Sequence, residues 1–232
     1  MPAGIQVRND SNVLQVDGQS MHMVLLRKAT VTGTQIPNGL NSGFCQVDIP
    51  LNPGEMLAFN TPYGAAMAGR WTGNGCMQVH FQGLPGTTLS YWVYGPYQPS
   101  GLNYGMQIRG DANQLLYDTG RMPLRYVADI QGVGTFPSVA KYAGQQLALI
   151  AYQQYCRMEI LNPAQNPNGS WQGMQQFTTG FARINSDGTV TVRNIAYTVN
   201  PYGPAYPPSD FANGSWSNNI NNGYAVIDVT HT

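Results

Sequence analysis

The chain has 232 residues, of which 9% are charged, and eleven Lys and Arg balance eleven Asp and Glu to a formal net charge of zero. An ordinary soluble protein carries about 25% charged residues, and the basic excess that nucleic acid or an anionic membrane would require is missing here. The remaining polarity is neutral, mostly Asn, Gln, Ser, Thr and 14 Tyr among 27 Gly and 16 Pro, a composition suited to lasting contact with other subunits.

The chain opens on MPAGIQVRND, which has neither a basic n-region nor an apolar h-region, so no secretory signal is expected. No run approaches the roughly 18 apolar residues that cross a bilayer. In residues 4–17, GIQVRNDSNVLQVD, Ile5 and Val7 share one face and Gln6 and Arg8 the other; NDSN follows as a turn, then Leu14 and Val16 fall together. Strand, polar turn and strand predict a hairpin. Further strands are predicted at 22–32, 44–49, 56–60, 76–82 and 88–94, separated by turn sequences such as IPNG, LNPGE and GLPGT. That density of short strands is the one expected of a β-sandwich. The Gly-, Pro- and Ser-rich stretch 95–103, GPYQPSGLN, is the natural linker.

The opening phrase then returns. Residues 105–118 read GMQIRGDANQLLYD and align with 4–17 without a gap at an offset of 101, with seven of fourteen positions identical: Gly4/Gly105, Gln6/Gln107, Arg8/Arg109, Asp10/Asp111, Asn12/Asn113, Leu14/Leu115 and Asp17/Asp118. Strands are predicted after it at 122–130, 147–160, 175–185, 189–199 and 223–230, with Asp187-Gly188 as a hairpin turn. The stretch 138–155 has a helix-forming share of Ala, Gln and Leu, but Gly144 interrupts it and its Tyr and Ile favour a strand. Residues 161–173 and 200–223 are expected to be long loops, a length that usually signals function or disorder. Both contain NGSW, and between them they carry Trp171, Tyr202, Tyr206, Phe211 and Trp216. The whole predicts an all-β chain of two tandem β-sandwich-like modules, 1–96 and 104–232, joined by a linker at 97–103. Each module is long enough to bury its own core, and the second carries the aromatic- and Pro-rich loops.

Catalytic patterns are weak. His22, His80 and His231 lie far apart, and no GxSxG, P-loop, HExxH or close carboxylate pair is present. Neither an enzyme, a metal nor a cofactor is expected. Cys45, Cys76 and Cys156 are odd in number and widely spaced, which predicts reduced thiols. Asp10-x-Asn12 and Asp111-x-Asn113 offer too few oxygens for a calcium loop and are expected to cap the hairpin turns. The five loop aromatics, Trp171, Tyr202, Tyr206, Phe211 and Trp216, are the candidate contact residues; packing within their own module, burial against another subunit and a platform for a sugar ring all fit them.

The repeated phrase carries a resemblance. GIQVRNDSNVLQVDG and YGMQIRGDANQLLYDTGRMPLRYV resemble strand–turn–strand phrases in small minor tail proteins of long-tailed bacteriophages, through Gly105, Gln107, Ile108, Leu115, Asp118, Leu124, Arg125 and Val127. In the first copy Leu14 and Asp17 match, while MVLLRK stands where the second has PLRYV, and the ending GYAVIDVTHT is similar to a terminal strand of such proteins. The resemblance implies a structural component of the tail tip, baseplate or fibre, without catalytic residues. It would be assembled in the bacterial cytoplasm and reside in the virion. A homo-oligomer, a trimer rather than a hexamer, would touch other tail proteins and a host-cell receptor. The rival expectation is a receptor-binding lectin-like module that grips host glycan through the aromatic loops.

Overall fold

A computed structural model describes residues 7–8, 14–16, 23–36, 43–71, 75–96, 99–102, 105–109, 115–165, 167, 171–200, 216–217 and 220–232. Among the described residues every regular element is a strand. The first part of the chain forms β1 (Val7–Arg8), β2 (Leu14–Val16), β3 (Met23–Thr32), β4 (Thr34–Gln35), β5 (Phe44–Pro50), β6 (Met56–Asn60), β7 (Ala65–Trp71), β8 (Cys76–Gln82) and β9 (Thr88–Pro96). The second forms β10 (Gln107–Arg109), β11 (Leu115–Asp118), β12 (Tyr126–Gln131), β13 (Gly134–Phe136), β14 (Leu147–Gln153), β15 (Cys156–Gln165), β16 (Trp171–Ile184), β17 (Val190–Asn200), β18 (Trp216–Ser217) and β19 (Gly223–Asp228).

Alternation places the core. In β6, Leu57 and Phe59 point into the space between two sheets, while Ala58 packs on the opposite face with Trp92, Tyr94, Ala148 and Ile150. One sheet has the order β12-β19-β14-β6-β9-β3. The other runs β13-β17-β16-β7-β8-β5-β4, with β15 added beside β16 and β18 beside β15. All the pairings are antiparallel, which a chain wound through hairpins and sheet-to-sheet crossings allows.

Strands from before and after 97–103 therefore lie in the same two sheets. Leu149 on β14 pairs with Phe59 on β6, and Ala182 on β16 pairs with Ala65 on β7. Leu57, Phe59, Val79, Phe81 and Val93 share one buried cluster with Leu147, Leu149, Ala182, Val192 and Val226. The 97–103 segment divides the sequence without dividing the packing: in place of the two separate cores expected above, each of the three buried clusters among the described residues draws on both sides of it. The physical reason is the edge. Without β14 and β16, strands β6 and β7 would each present a row of unpaired backbone groups, and pairing them satisfies both halves at once.

The repeated phrase forms the two small hairpins. In β1–β2, Val7 pairs with Val16 and Arg8 with Leu14. In β10–β11, Ile108 pairs with Tyr117 and Arg109 with Leu115, which are the same positions displaced by 101, and the register slips at the same step in both. The second hairpin shows what its repeated polar residues do. Asp118 is 1% exposed. Its carboxylate accepts from the Gly120 amide at 2.8 Å, the Ser100 hydroxyl at 2.8 Å, the Ser100 amide at 3.1 Å and Gln107 Nε2 at 3.1 Å. Arg109 in turn donates to Gln107 Oε1 at 3.4 Å. The Gly120 amide and the Ser100 hydroxyl hold the Asp118 carboxyl below the usual carboxylate range. The Asp of the phrase thus ties the linker residue Ser100 to the hairpin.

Several elements differ from expectation. The loop predicted at 161–173 is largely a hairpin: β15 continues to Gln165 and β16 begins at Trp171. A register shift between Leu161 and Ala164 sets Asn162 and Pro163 in a bulge, the setting in which a sheet tolerates Pro. The stretch 138–155 is neither helix nor one strand; it stays irregular through a turn at Gly144 (φ +80°), and β14 begins only at Leu147. The predicted strand 147–160 is broken at Gln154–Tyr155, and β7 was not predicted at all. Within 200–223, β18 occupies Trp216–Ser217, and residues 201–215 lie outside the described residues.

Candidate functional site

Of the five predicted contact residues, Tyr202, Tyr206 and Phe211 lie outside the described residues, and Trp171 and Trp216 are placed through their backbone. Trp171 pairs with Gln165 and Trp216 with Met158, on opposite edges of β15. Met158 and Gln165 are seven positions apart on β15, a run of about 20 Å along an extended strand. The fold does not gather these two tryptophans into one platform.

It does form a cleft that no sequence motif announces. The β6–β7 turn, β9, the approach to β14 and the β16–β17 turn converge at one end of the junction around a space of about 570 Å³, with Asn60, Thr61, Trp92, Gln146 and Asn185 on its walls. It adjoins a second hollow of about 270 Å³ that adds Lys28, Thr30 and Tyr91. Asn60 Nδ2 donates to the Leu147 carbonyl at 2.8 Å, which stitches the two halves across the cleft floor. Asn185 Nδ2 donates to the hydroxyls of Thr189 at 2.7 Å and Thr191 at 2.9 Å. Trp92, 9% exposed, donates its indole N–H to Thr232 Oγ1 at 2.8 Å. Lys28 is the one charged residue among the described residues lining the two hollows. The amide, hydroxyl and indole groups described on these walls can hydrogen-bond a neutral polar ligand. Trp92, Asn60 and Asn185 were hidden in sequence because they sit in or beside strands that read as core, and they meet only through the pairing of the two halves.

The opposite end of the junction is closed by a polar network. Asn222 is 1% exposed. Its Oδ1 accepts from the Tyr155 amide at 2.9 Å, its Nδ2 donates to Asn194 Oδ1 at 2.8 Å, and its carbonyl accepts from the Gly132 amide at 2.8 Å. Gln154 links the halves directly: its Oε1 accepts from the Met67 amide at 3.1 Å, while its Nε2 donates to Thr179 Oγ1 at 2.7 Å and to the Gly180 carbonyl at 3.0 Å. Tyr224 donates to the same carbonyl at 2.7 Å. These partners are internal, so the network positions strands and leaves little for a ligand to take up.

His80, on β8, is the one imidazole set into packing among the described residues. It is 4% exposed, with Nδ1 2.5 Å from the Tyr197 hydroxyl and Nε2 3.0 Å from Gln78 Oε1. The ring meets Tyr197 edge-on, beside Phe44 and Phe181. Burial pushes His80 down to about 4 against the opposing pull of Asp48, and burial pushes the Tyr197 phenol far above its ordinary range. His80 is therefore neutral at pH 7, accepting from Tyr197 and donating to Gln78. Because the folded pKa lies below the unfolded value of 6.5, the stability it contributes is full above pH 6.5 and is lost as pH falls toward 4. The loss is roughly 3 kcal/mol. Urea midpoints measured between pH 8 and pH 4 are expected to fall over that window and to fall much less in His80→Gln; equal slopes would show that His80 does not titrate there.

No disulfide joins Cys45, Cys76 and Cys156. Burial pushes the Cys156 thiol up to about 11 against a hydrogen bond from Thr179, and raises Cys45 as well, which makes both poor nucleophiles at neutral pH. Among the described residues no three His, Cys, Asp or Glu come together as metal ligands.

Fold and clefts together define an all-β protein of two stacked antiparallel sheets, with buried polar networks at the junction and a neutral hydrogen-bonding cleft at one end of it. No protein-family model, curated protein or solved structure matches the chain.

Proposed function

We propose that the chain is a structural component of the tail end of a long-tailed bacteriophage, built from two duplicated β-modules fused side by side, and that it works through protein–protein contacts during tail assembly and host attachment. The observation that carries this reading is the pair of hairpins. The phrase that resembles minor tail proteins occurs twice, takes the same register twice and slips at the same step. Its flanking residues also have structural work: the Leu124 amide donates to the Met23 carbonyl at 2.9 Å, and Arg125 binds Asp228 and the Thr230 carbonyl. Duplication is further supported by the strand orders, which mirror each other about the junction as β6-β9-β3 against β14-β19-β12 and β7-β8-β5 against β16-β17-β13.

The resemblance implies a homo-oligomer, and a trimer is favoured over a hexamer. The expected mass in native mass spectrometry is about 76 kDa, three chains of 25.3 kDa. At least one of Trp171, Tyr202, Tyr206, Phe211 and Trp216 is expected to be buried between subunits, so that Trp216→Ala shifts the population toward smaller species. A strict monomer at high concentration, alone and with candidate tail proteins, would overturn the role.

A second reading, a lectin-like receptor-binding module, is favoured by the neutral cleft beside Trp92. A glycan array with the intact protein and with Ser186→Trp, which fills the cleft mouth from an exposed position, tests it. Glycan binding abolished by Ser186→Trp would support this reading over a purely structural one.

A further inference from the structure

On the outer face of the second sheet, β16 and β17 bring two arginines together. The register sets Arg183 opposite Thr191 and Phe181 opposite Arg193, while Ala182 and Val192 between them point into the core. Arg183 and Arg193 are thus diagonal neighbours on one face, roughly 7–8 Å apart at the backbone, a spacing at which long side chains interact and like charges repel. The other arginines that form ion pairs each have a carboxylate: Arg27 has Glu55, Arg125 has Asp228 and Arg157 has Glu159. Among the described residues neither the Arg183 nor the Arg193 guanidinium makes a hydrogen bond or ion pair, although the whole chain has only eleven Lys and Arg to place. Both line one concavity, together with Gln82, Thr191, Gly64 and Tyr63. No acidic residue is among the described residues on its wall. Gly64, at φ +92°, turns the chain beside it, and Tyr63 is 52% exposed.

We propose that this concavity binds an oxyanion, the carboxylate or phosphate of a ligand whose uncharged body rests on Tyr63. Two adjacent guanidiniums supply the forked donors that such groups accept, and the anion removes the repulsion between them. Size agrees with the group. The space is about 40 Å³, room for about three or four waters at roughly 10–15 Å³ each. That suits one carboxylate or phosphate and excludes a whole sugar ring, so the remainder of the ligand lies outside, against the aromatic face. The site is separate from the neutral cleft at the junction and does not depend on the tail assignment.

The test is a titration of the intact protein, followed by amide NMR shifts, with glucuronate, glucose 6-phosphate, inorganic phosphate and glucose. Glucuronate and glucose 6-phosphate are expected to bind and to weaken at raised salt, and their relative affinities tell a carboxylated from a phosphorylated source. Inorganic phosphate is expected to bind more weakly, and glucose not measurably. Arg183→Gln and Arg193→Gln should each lower anion affinity by about tenfold or more, with an unchanged melting temperature because both side chains reach solvent. Failure of every anion to bind would overturn the proposal, as would binding that survives in the doubly substituted protein or glucose binding equal to glucuronate. Inorganic phosphate binding as tightly as glucose 6-phosphate would overturn the part given to Tyr63. If no anion binds and the double substitution dissociates the oligomer, the arginines are a subunit contact and the proposal falls.

Discussion

Gly180→Ala is expected to leave little folded protein at ambient temperature. A Cβ built on Gly180 would lie 1.7 Å from Asn222 Oδ1 and 2.4 Å from its Cγ. A side-chain tip can often swing away from such a clash, but Asn222 is held on both sides, by the Tyr155 amide and by Asn194. Moving it leaves buried polar groups without partners at about 1–3 kcal/mol each, in addition to roughly 1–3 kcal/mol for the overpacking itself. With two such groups the total is about 3–9 kcal/mol, which approaches the whole stability of many domains. Where folded protein survives, a chain of this length should melt at least about 10 °C lower. Asn222→Ala alone loses the hydrogen bonds but makes room for the methyl group. The double substitution Gly180→Ala/Asn222→Ala should therefore be no less stable than Asn222→Ala, a strong non-additivity that a urea cycle reads directly. Gly180→Ala with wild-type stability would dispose of the argument.

Phe59→Ala is expected to lower stability by about 3–5 kcal/mol and to lower it for the whole chain. Phe59 is fully buried and pairs with Leu149 where the two halves of the first sheet meet. Its ring packs in the cluster that also holds Leu147, Val192 and Val226 from the far side of the linker. Unfolding should thus be a single transition. Amide exchange in β3 and β9 should report the same opening free energy as in β17 and β19, and both should drop together in Phe59→Ala. Two separable transitions, or a drop confined to β3 to β9, would show that the halves are independent in spite of the shared sheets.

Much of the first half was legible because its strands carry local signals. β6 and β8 have the predicted bounds, and β5 and β9 are only extended at their ends, since alternating large apolar residues between Gly and Pro turns leave few other solutions. β7 opens on Ala65 and Ala66, with no large side chain to mark its start; Ala65 is small because it lies between Ala182 of β16 and Phe81 of β8, a constraint that sequence does not display. Pro163 made the end of β15 look like a loop, because a bulge that excuses a proline is a property of the partner strand. The shared core was invisible for a similar reason: the pairing of Phe59 with Leu149 spans 90 positions and leaves no periodic trace. The candidate site fared worse than the fold. Aromatic richness drew attention to Trp171 and Trp216, which the register sets apart, whereas the cleft and the arginine pair arise from residues that are unremarkable until strands bring them side by side.

The side-by-side junction also bears on how such a chain arises. Two copies of one module that met edge to edge as separate molecules would form a two-fold dimer, because equivalent strands, β6 with β14 and β7 with β16, pair antiparallel about a common axis. Joining the copies into one polypeptide replaces a concentration-dependent association by a tethered one, and it frees each half to diverge. Strand β15 has no counterpart in the first half, and β4 has none in the second. On the duplication proposed above, symmetry lost inside the chain in this way gives two dissimilar outer surfaces, where a strictly symmetric dimer would present one surface twice.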